Sequence, residues 1–285
     1  MAIKSILCIF GGAAHEHSAM NVTFQLGKLY GAQVKFIHLT PDLASYAGLY
    51  ADGMMVNTDI ITALQKDNQE RMEKARKLVA AAAEHHHVPM GMTQAPLHHA
   101  SASFKQIMGV HDYLIAGEGR LTDLIILSAK NDSPYDMITP ALFDTGRPVL
   151  IMPAKKNWQW QDKNIALAWN GSLQSARALY NAWPLISKVE NFYLLCGQKP
   201  SEPLDPEAEA ALRAYVQAHG SEPQIVRVTQ GEQSLSEALL SRAKELNADL
   251  FIMGAYGHSQ FREMVLGGMT EFMLNHADMP LLLSH

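Results

Sequence analysis

The chain has 285 residues, a length that corresponds to about two domains of average size. Its composition, 48% hydrophobic and 18% charged, is that of a globular protein and excludes an intrinsically disordered chain. The formal net charge is −5, and this acidic balance argues against a nucleic-acid-binding protein, which usually carries a basic excess.

The two cysteines, Cys8 and Cys196, both lie in apolar runs and form no Cys-x-x-Cys pair. Cysteines used in this way are typical of a reducing compartment, so we expect a cytoplasmic protein without disulfides. The apolar runs are well short of the roughly 18 residues that a membrane-spanning helix needs, so we expect no membrane span.

The first half of the chain contains four short apolar runs, at residues 5–12, 34–39, 122–128 and 147–152. Continuous runs of Val, Ile, Leu and Phe predict strands that are buried on both faces, as in parallel sheets. Residues 40–87 separate the second run from the third. Within this insertion, residues 57–84 contain no proline or glycine and predict one long helix.

The second half repeats these runs in the same order, at residues 164–171, 192–197, 248–254 and 279–284. Apolar residues at spacings of three and four predict helices between them, at residues 172–188, 206–219 and 234–246. Pro184 is expected to end or kink the first of these helices. Alternating strands and helices indicate an α/β fold, with about five strands in each half. We therefore predict two domains, at residues 1–155 and 163–285.

A glycine-rich segment follows the third run of the second half, with the sequence MGAYGHSQFREMVLGGMT from Met253 to Thr270. Glycines after a strand permit a tight turn, and the N-terminus of the next helix offers unpaired N–H groups to an anion. The segment lacks the lysine of a P-loop. The pattern predicts either a phosphate site at the carboxyl end of the sheet or a structural turn rich in glycine.

The glycine spacing resembles that of the universal stress proteins, here in a tandem two-domain form. ATP-binding members of that family carry Gly-x-x-Gly, nine further residues and then Gly, and Gly254, Gly257 and Gly267 have this spacing. The turn Asn170-Gly171-Ser172 is similar to the Asp-Gly-Ser that follows the family's first strand.

The similarity extends to the last strand of each half, which begins at Arg147-Pro148 and at Met279-Pro280. It covers nearly the whole chain apart from residues 40–87. The resemblance implies an adenine-nucleotide alpha-hydrolase-like fold, with two doubly wound parallel five-stranded sheets of order 3-2-1-4-5 in tandem.

The resemblance also implies where a nucleotide would bind in residues 163–285. Adenine and ribose would lie at the ends of the first two strands, and the phosphates would lie over the glycine-rich turn. The expected nucleotide-binding residues are Ala168, Trp169, Asn170, Leu195, Cys196, Met253, Gly254, Gly257, His258, Gly267, Gly268, Met269 and Thr270.

The sequence departs from the family pattern at three of these positions. Asn170 replaces an acidic residue, Gly268 replaces the hydroxyl residue after the third glycine, and His258 stands where many members have arginine. The N–H of Gly268 remains available, and Thr270 can supply a hydroxyl. We expect this domain to bind ATP, accompanied by Mg²⁺. We expect valine at Gly254 or at Gly267 to abolish binding without unfolding the protein.

The first half departs further from the pattern. Ser128, Asn131 and Ala141 stand in the places of the three glycines, and Gly11-Gly12-Ala13 replaces Asp-Gly-Ser. A side chain then occupies the space that a phosphate would approach, so we expect no ATP in this half. It is interpreted as a degenerate copy of the nucleotide-binding domain or as a site for another ligand.

His15 and His17 directly follow the first strand and are the best candidates for metal ligands. They have no cysteine and only the carboxylate of Glu16 beside them, so we predict no metal site. Asp123 and Asp249 precede buried strands and are interpreted as turn residues. No nucleophile motif is present, so we predict no catalytic residues and no enzyme activity.

The resemblance implies a stress-response sensor or switch that binds an adenine nucleotide. We expect its two domains to pair through residues 149–152 and 281–284 as a pseudo-dimer, and we leave a homodimer open. Two alternatives also stay open. One is a binder of a non-nucleotide small molecule in the crevice of residues 1–155, with a defunct ATP site, and the other is a slow ATP hydrolase.

Overall fold

A computed structural model describes residues 2–40, 58–91, 99–129, 137–154, 158–161, 163–198, 205–255 and 268–285. The chain divides into two compact units. The first unit contains Ile3–Thr145 and Ala154–Gln159, and the second contains Gly146–Pro153 and Trp160–His285. These are units of spatial contact, and the sequence domains at residues 1–155 and 163–285 remain a prediction.

The described part of the first unit alternates strands with helices. Its strands are β1 (Ser5–Ile9), β2 (Gln33–Thr40), β3 (Ser101–Met108) and β4 (Leu124–Ser128). Its helices are α1 (His17–Tyr30), α2 (Thr58–His85), α3 (His111–Gly119) and α4 (Ile138–Phe143), and a 3₁₀ turn at Ala14–Glu16 precedes α1. The long helix predicted in the insertion at residues 57–84 corresponds to α2.

These four strands form a parallel arrangement in the order β3-β2-β1-β4, which follows the predicted order. The central strand β1 pairs with β2 from Ser5↔Gln33 to Ile9↔Ile37 and with β4 from Ile6↔Leu124 to Cys8↔Ile126. Ile6, Leu7 and Cys8 are fully buried, as expected for a strand covered on both faces.

The second unit contains six strands and four helices in its described residues. The strands are β5 (Val149–Met152), β6 (Asn164–Trp169), β7 (Asn191–Gln198), β8 (Pro223–Thr229), β9 (Leu250–Gly254) and β10 (Leu281–Ser284). The helices are α5 (Leu173–Ile186), α6 (Pro206–Ala218), α7 (Leu235–Glu245) and α8 (Gly268–His276).

Five of these strands are parallel and follow the order β8-β7-β6-β9-β10, which is the predicted 3-2-1-4-5. The predicted α/β fold class is therefore confirmed. Strand β5 adds to this sheet by antiparallel pairing with β10, with Leu281 opposite Ile151 and Leu283 opposite Val149. The last strands of the two sequence halves thus pair with each other.

Local sequence signals explain where the helices of the second unit begin and end. Ser172, Asp205 and Ser234 cap α5, α6 and α7, each accepting a hydrogen bond from a first-turn N–H. Pro206 occupies the first turn of α6, where the missing N–H costs nothing. Pro184 lies inside α5, which ends two residues later at Ile186, so the expected interruption is a helix end.

Asp123 and Asp249 stabilise the amino ends of the two central strands. Asp123 Oδ2 accepts hydrogen bonds from the N–H groups of Lys4 at 2.7 Å and Ser5 at 2.9 Å. Asp249 Oδ2 accepts one from the N–H of Asn164 at 2.9 Å. Both carboxylates therefore hold neighbouring strands together, at the edge of each sheet opposite to the strands' carboxyl ends.

We expect both cysteine thiols to be unreactive in the folded protein. Burial raises the pKa of Cys8 to about 12 and that of Cys196 to about 11. Iodoacetamide labelling of the native protein at pH 8 should be at least about 100-fold slower than labelling of a free cysteine, because little thiolate is present. Labelling in 6 M guanidinium chloride serves as the control, and fast labelling of the native protein would contradict the burial of these thiols.

Candidate functional site

The carboxyl edge of the second sheet brings several of the predicted site residues together. In the parallel register, Trp169 at the end of β6 lies opposite Cys196 of β7. On its other side, β6 pairs with β9 from Ile165↔Leu250 to Leu167↔Ile252, so β6 and β9 end side by side at Trp169 and Gly254. This is the edge at which doubly wound folds bind ligands.

Two helices begin at the same edge. Helix α5 follows β6 and leads to β7, and α8 precedes β10, which is parallel to β9. A helix that connects parallel strands must begin at their carboxyl edge, so the N-termini of α5 and α8 both face it. Gly268 is exposed at the first turn of α8, and a Cβ added there would meet no atom within 4 Å. The Gly268 position is therefore open on the side where a Cβ would point.

Asn170 forms the tight turn between β6 and α5. Its Oδ1 accepts a hydrogen bond from the N–H of Ser172 at 3.1 Å, and Gly171 adopts a left-handed φ of +72°. An aspartate in this place would accept the same bond, so asparagine preserves the geometry of the turn without its charge. Gly171 also faces open space, because a Cβ there would meet nothing within 4 Å.

Gly254 has a packing role that its sequence position does not reveal. A Cβ on this residue would lie 2.5 Å from the carbonyl carbon of Gln174 and 2.7 Å from the N atom of Ser175. Both atoms belong to the backbone of α5, so glycine is required for this helix to approach β9. The expectation that valine at Gly254 would leave the fold intact is therefore wrong on packing grounds.

The remaining predicted residues lie at different depths. Leu195 and Cys196 are fully buried, Met253 is 3% exposed and Thr270 is 2% exposed, whereas Ala168, Trp169 and Met269 are half-buried and Asn170 is exposed. Gly257, His258 and Gly267 lie outside the described residues. Leu195 and Cys196 therefore lie beneath the surface and do not line an open pocket, whereas Asn170, Gly171 and Gly268 are the exposed residues of this edge.

An ion pair beside Cys196 was not predicted from the sequence. Arg227 of β8 lies opposite Cys196 in the register, and its Nη2 contacts Glu209 Oε2 of α6 at 2.7 Å. The nearby Glu209 raises the pKa of Cys196 and Arg227 lowers it, but burial has the largest effect on this thiol. Only Pro223 and Val228 of β8 are buried, and polar residues interrupt its sequence, so it gave no continuous apolar run that would have drawn attention to Arg227.

In the first unit, Ser128 stands where the second unit has Gly254. Its Oγ donates a hydrogen bond to the carbonyl oxygen of His15 at 3.2 Å. His15 and His17 are half-buried, and the described residues contain no group of three or more histidine, cysteine or acidic side chains able to hold a metal ion. Ala141 is fully buried in α4, and Asn131 lies outside the described residues.

Among the helices that the structure describes, none is both long enough and apolar enough to cross a membrane.

Comparison with known proteins shows which family and which solved structures this chain is similar to. Residues 194–285 match the universal stress protein family. No curated protein matches the chain.

Among solved structures, a universal stress protein from Archaeoglobus fulgidus superposes with a TM-score of 0.71 at 15% identity, over 98% of this chain and 97% of that one. A putative universal stress protein from Pseudomonas aeruginosa superposes with a TM-score of 0.55 at 16% identity, over 99% of this chain and 93% of that one. The resemblance seen in the sequence is thus confirmed: residues 194–285 match the universal stress protein family, and solved universal stress proteins share the fold over nearly the whole length of this chain.

Proposed function

We propose that the second unit binds an adenine nucleotide, with ATP as the preferred ligand, at the carboxyl edge of its sheet. The observation that carries this proposal is the meeting of Trp169, Cys196 and Gly254 at one edge, where α5 and α8 also begin. Gly171 and Gly268 leave open space on that edge, so a ligand can reach both turns.

The charge of this region favours recognition by backbone groups. Residues 164–285 contain 8 basic and 13 acidic residues, a difference that accounts for the whole net charge of −5. Arg227, a cation close to this edge, is already paired with Glu209. Phosphates would therefore be bound by the N–H groups of the α8 N-terminus, and a Mg²⁺ ion bound with the nucleotide would offset part of their charge.

We propose that nucleotide binding acts as a signal in a stress response and is not followed by turnover. Hydrolysis needs a group that positions the attacking water. Asp249, the carboxylate next to β9, accepts a hydrogen bond from Asn164 at the opposite edge of the sheet and so cannot serve this purpose. The exposed side chain at this edge is that of Asn170, which is uncharged.

Calorimetric titration of the purified chain with ATP, adenosine and GTP tests the proposal. We expect one ATP site per chain, weaker binding of adenosine, which lacks phosphates, and weaker binding of GTP, which lacks adenine. Failure of all three to bind would contradict the proposal.

Mass spectrometry of small molecules released from freshly purified protein provides an independent test. An adenine nucleotide would support the proposal, whereas a different metabolite would favour the alternative of a non-nucleotide ligand. Steady release of phosphate from ATP by the pure protein would instead favour a slow ATP hydrolase.

A further inference from the structure

The loop after β1 in the first unit holds a carboxylate of the same chain. Glu16 is only 8% exposed, and its Oε2 accepts hydrogen bonds from the N–H groups of Gly11 and Ala13, both at 2.9 Å. Gly12 between them has a left-handed φ of +85°, which turns successive N–H groups toward one side. Such a sequence of N–H groups forms a concave anion-binding nest.

A helix of the insertion closes the same loop from outside. A Cβ added to Gly12 would lie 3.1 Å from the Cα of Ala75, and Ala75 is itself fully buried in α2. The insertion that distinguishes the first half from the second therefore packs directly on the loop that contains the nest.

The second unit provides an internal comparison. Gly171 is the counterpart of Gly12 and has a similar φ of +72°, but a Cβ there would meet nothing within 4 Å. The counterpart of Glu16 is Ser175, whose Oγ donates a hydrogen bond to the carbonyl oxygen of Ser172 at 2.9 Å. The two units thus share the conformation of this turn and differ in what surrounds it. The turn at Gly12 holds the Glu16 carboxylate and is covered by α2, and the turn at Gly171 is open.

We propose that residues 11–13 form an oxyanion site whose built-in ligand is the Glu16 carboxylate, and that this contact, covered by α2, closes the first unit to external carboxylates and phosphates. The inference is independent of nucleotide binding in the second unit. Burial raises the pKa of Glu16, and the N–H groups of Ala13, Gly11 and Gly12 oppose that rise, as they would for an ionised ligand. The turn after β1 is then a self-liganded counterpart of the open turn in the second unit.

Removal of the built-in ligand should create a site for a small external anion. Glu16→Ala should lower Tm by at least about 5 °C, since N–H groups that bind an ionised partner would lose it. Sodium acetate and inorganic phosphate are added separately, at pH 8, and each is compared with sodium chloride at the same ionic strength. We expect at least one of the two oxyanions to raise the Tm of Glu16→Ala more than that of the wild-type protein.

Glu16→Gln is the matched control, because its amide oxygen keeps one acceptor in the nest and fills the same space. We expect it to show no gain from acetate or phosphate beyond that of the wild type. If acetate alone raises the Tm of Glu16→Ala more than that of the wild type, the nest fits a carboxylate. If phosphate does so as well, the nest is wide enough for the larger anion. Both outcomes support the proposal. An equal response of Glu16→Ala and wild type to both anions would overturn it.

If Glu16→Ala is unfolded in buffer, the readout becomes recovery of the far-ultraviolet circular dichroism signal on addition of acetate or phosphate. Recovery with either anion, but not with chloride, supports the site. Absence of recovery with both would count against it, because an empty anion nest should regain its structure when an anion is supplied.

Discussion

Gly254→Val should destabilise the protein by about 3 kcal/mol, the upper part of the usual range for an overpacked site. The added Cβ would stand 2.5 Å from the carbonyl carbon of Gln174, a distance that real Cβ atoms essentially never show. Relief cannot come from a side-chain rotation, because the opposing atoms belong to the backbone of α5. Strand β9 lies between β6 and β10, so its displacement would disturb both neighbours. Urea denaturation followed by circular dichroism measures the loss.

Gly268→Ala is the matched control for that substitution. Its Cβ would meet nothing within 4 Å, and the residue is part of a helix, so we expect a change in stability of no more than about 1 kcal/mol, in the stabilising direction. A Gly254→Val protein with the denaturation midpoint of the wild type would show that α5 and β9 are not packed as described here. Since Gly254→Val is expected to alter the fold, loss of nucleotide binding in that variant would say nothing about phosphate contacts.

Gly268→Pro should raise the Kd for ATP at least about tenfold while leaving the fold intact. Proline is favoured at the first position of a helix, and it removes the N–H that glycine offers there. A hydrogen bond to a charged group contributes about 1.5–3 kcal/mol, which corresponds to roughly 10–100-fold in affinity. Calorimetric titration with ATP measures the effect.

Two controls test whether the weaker ATP binding of Gly268→Pro reflects a lost contact with the phosphates. Gly268→Ala retains the N–H and should bind ATP as the wild type does. Adenosine has no phosphates, so its affinity should be the same in Gly268→Pro and in the wild type. Equal ATP affinities in the proline and alanine variants would remove the N-terminus of α8 from the proposed site.

Strands in the middle of each sheet could be predicted from the sequence, whereas the edge strands could not. Strands β1, β6 and β9 read as continuous apolar runs because both of their faces are covered. Strand β3 (Ser101–Met108) has exposed residues along its second half, and β8 has only two buried residues, Pro223 and Val228. Neither produces the run of Val, Ile and Leu that identified the others.

For the candidate site, the sequence showed which residues follow which strand. Their position at one edge follows from parallel pairing, since the carboxyl ends of parallel strands meet at the same side of the sheet. The depth of each residue was not predictable. Cys196 and Leu195 were expected to line a pocket, and the structure buries both completely.

The sequence by itself determined the α/β fold and the family resemblance, because these depend on local apolar patterns and on spacing within single segments. The strand order was implied by that resemblance. Only the tertiary structure decided the environment and the role of each glycine turn. Gly12 and Gly171 share a left-handed φ, but α2 covers the first and leaves the Glu16 carboxylate inside its turn, while open space surrounds the second. Gly254 looked like a phosphate glycine and is required by the backbone of α5. These differences between the turns arise from contacts between residues far apart in the chain, and such contacts cannot be predicted from a local sequence pattern.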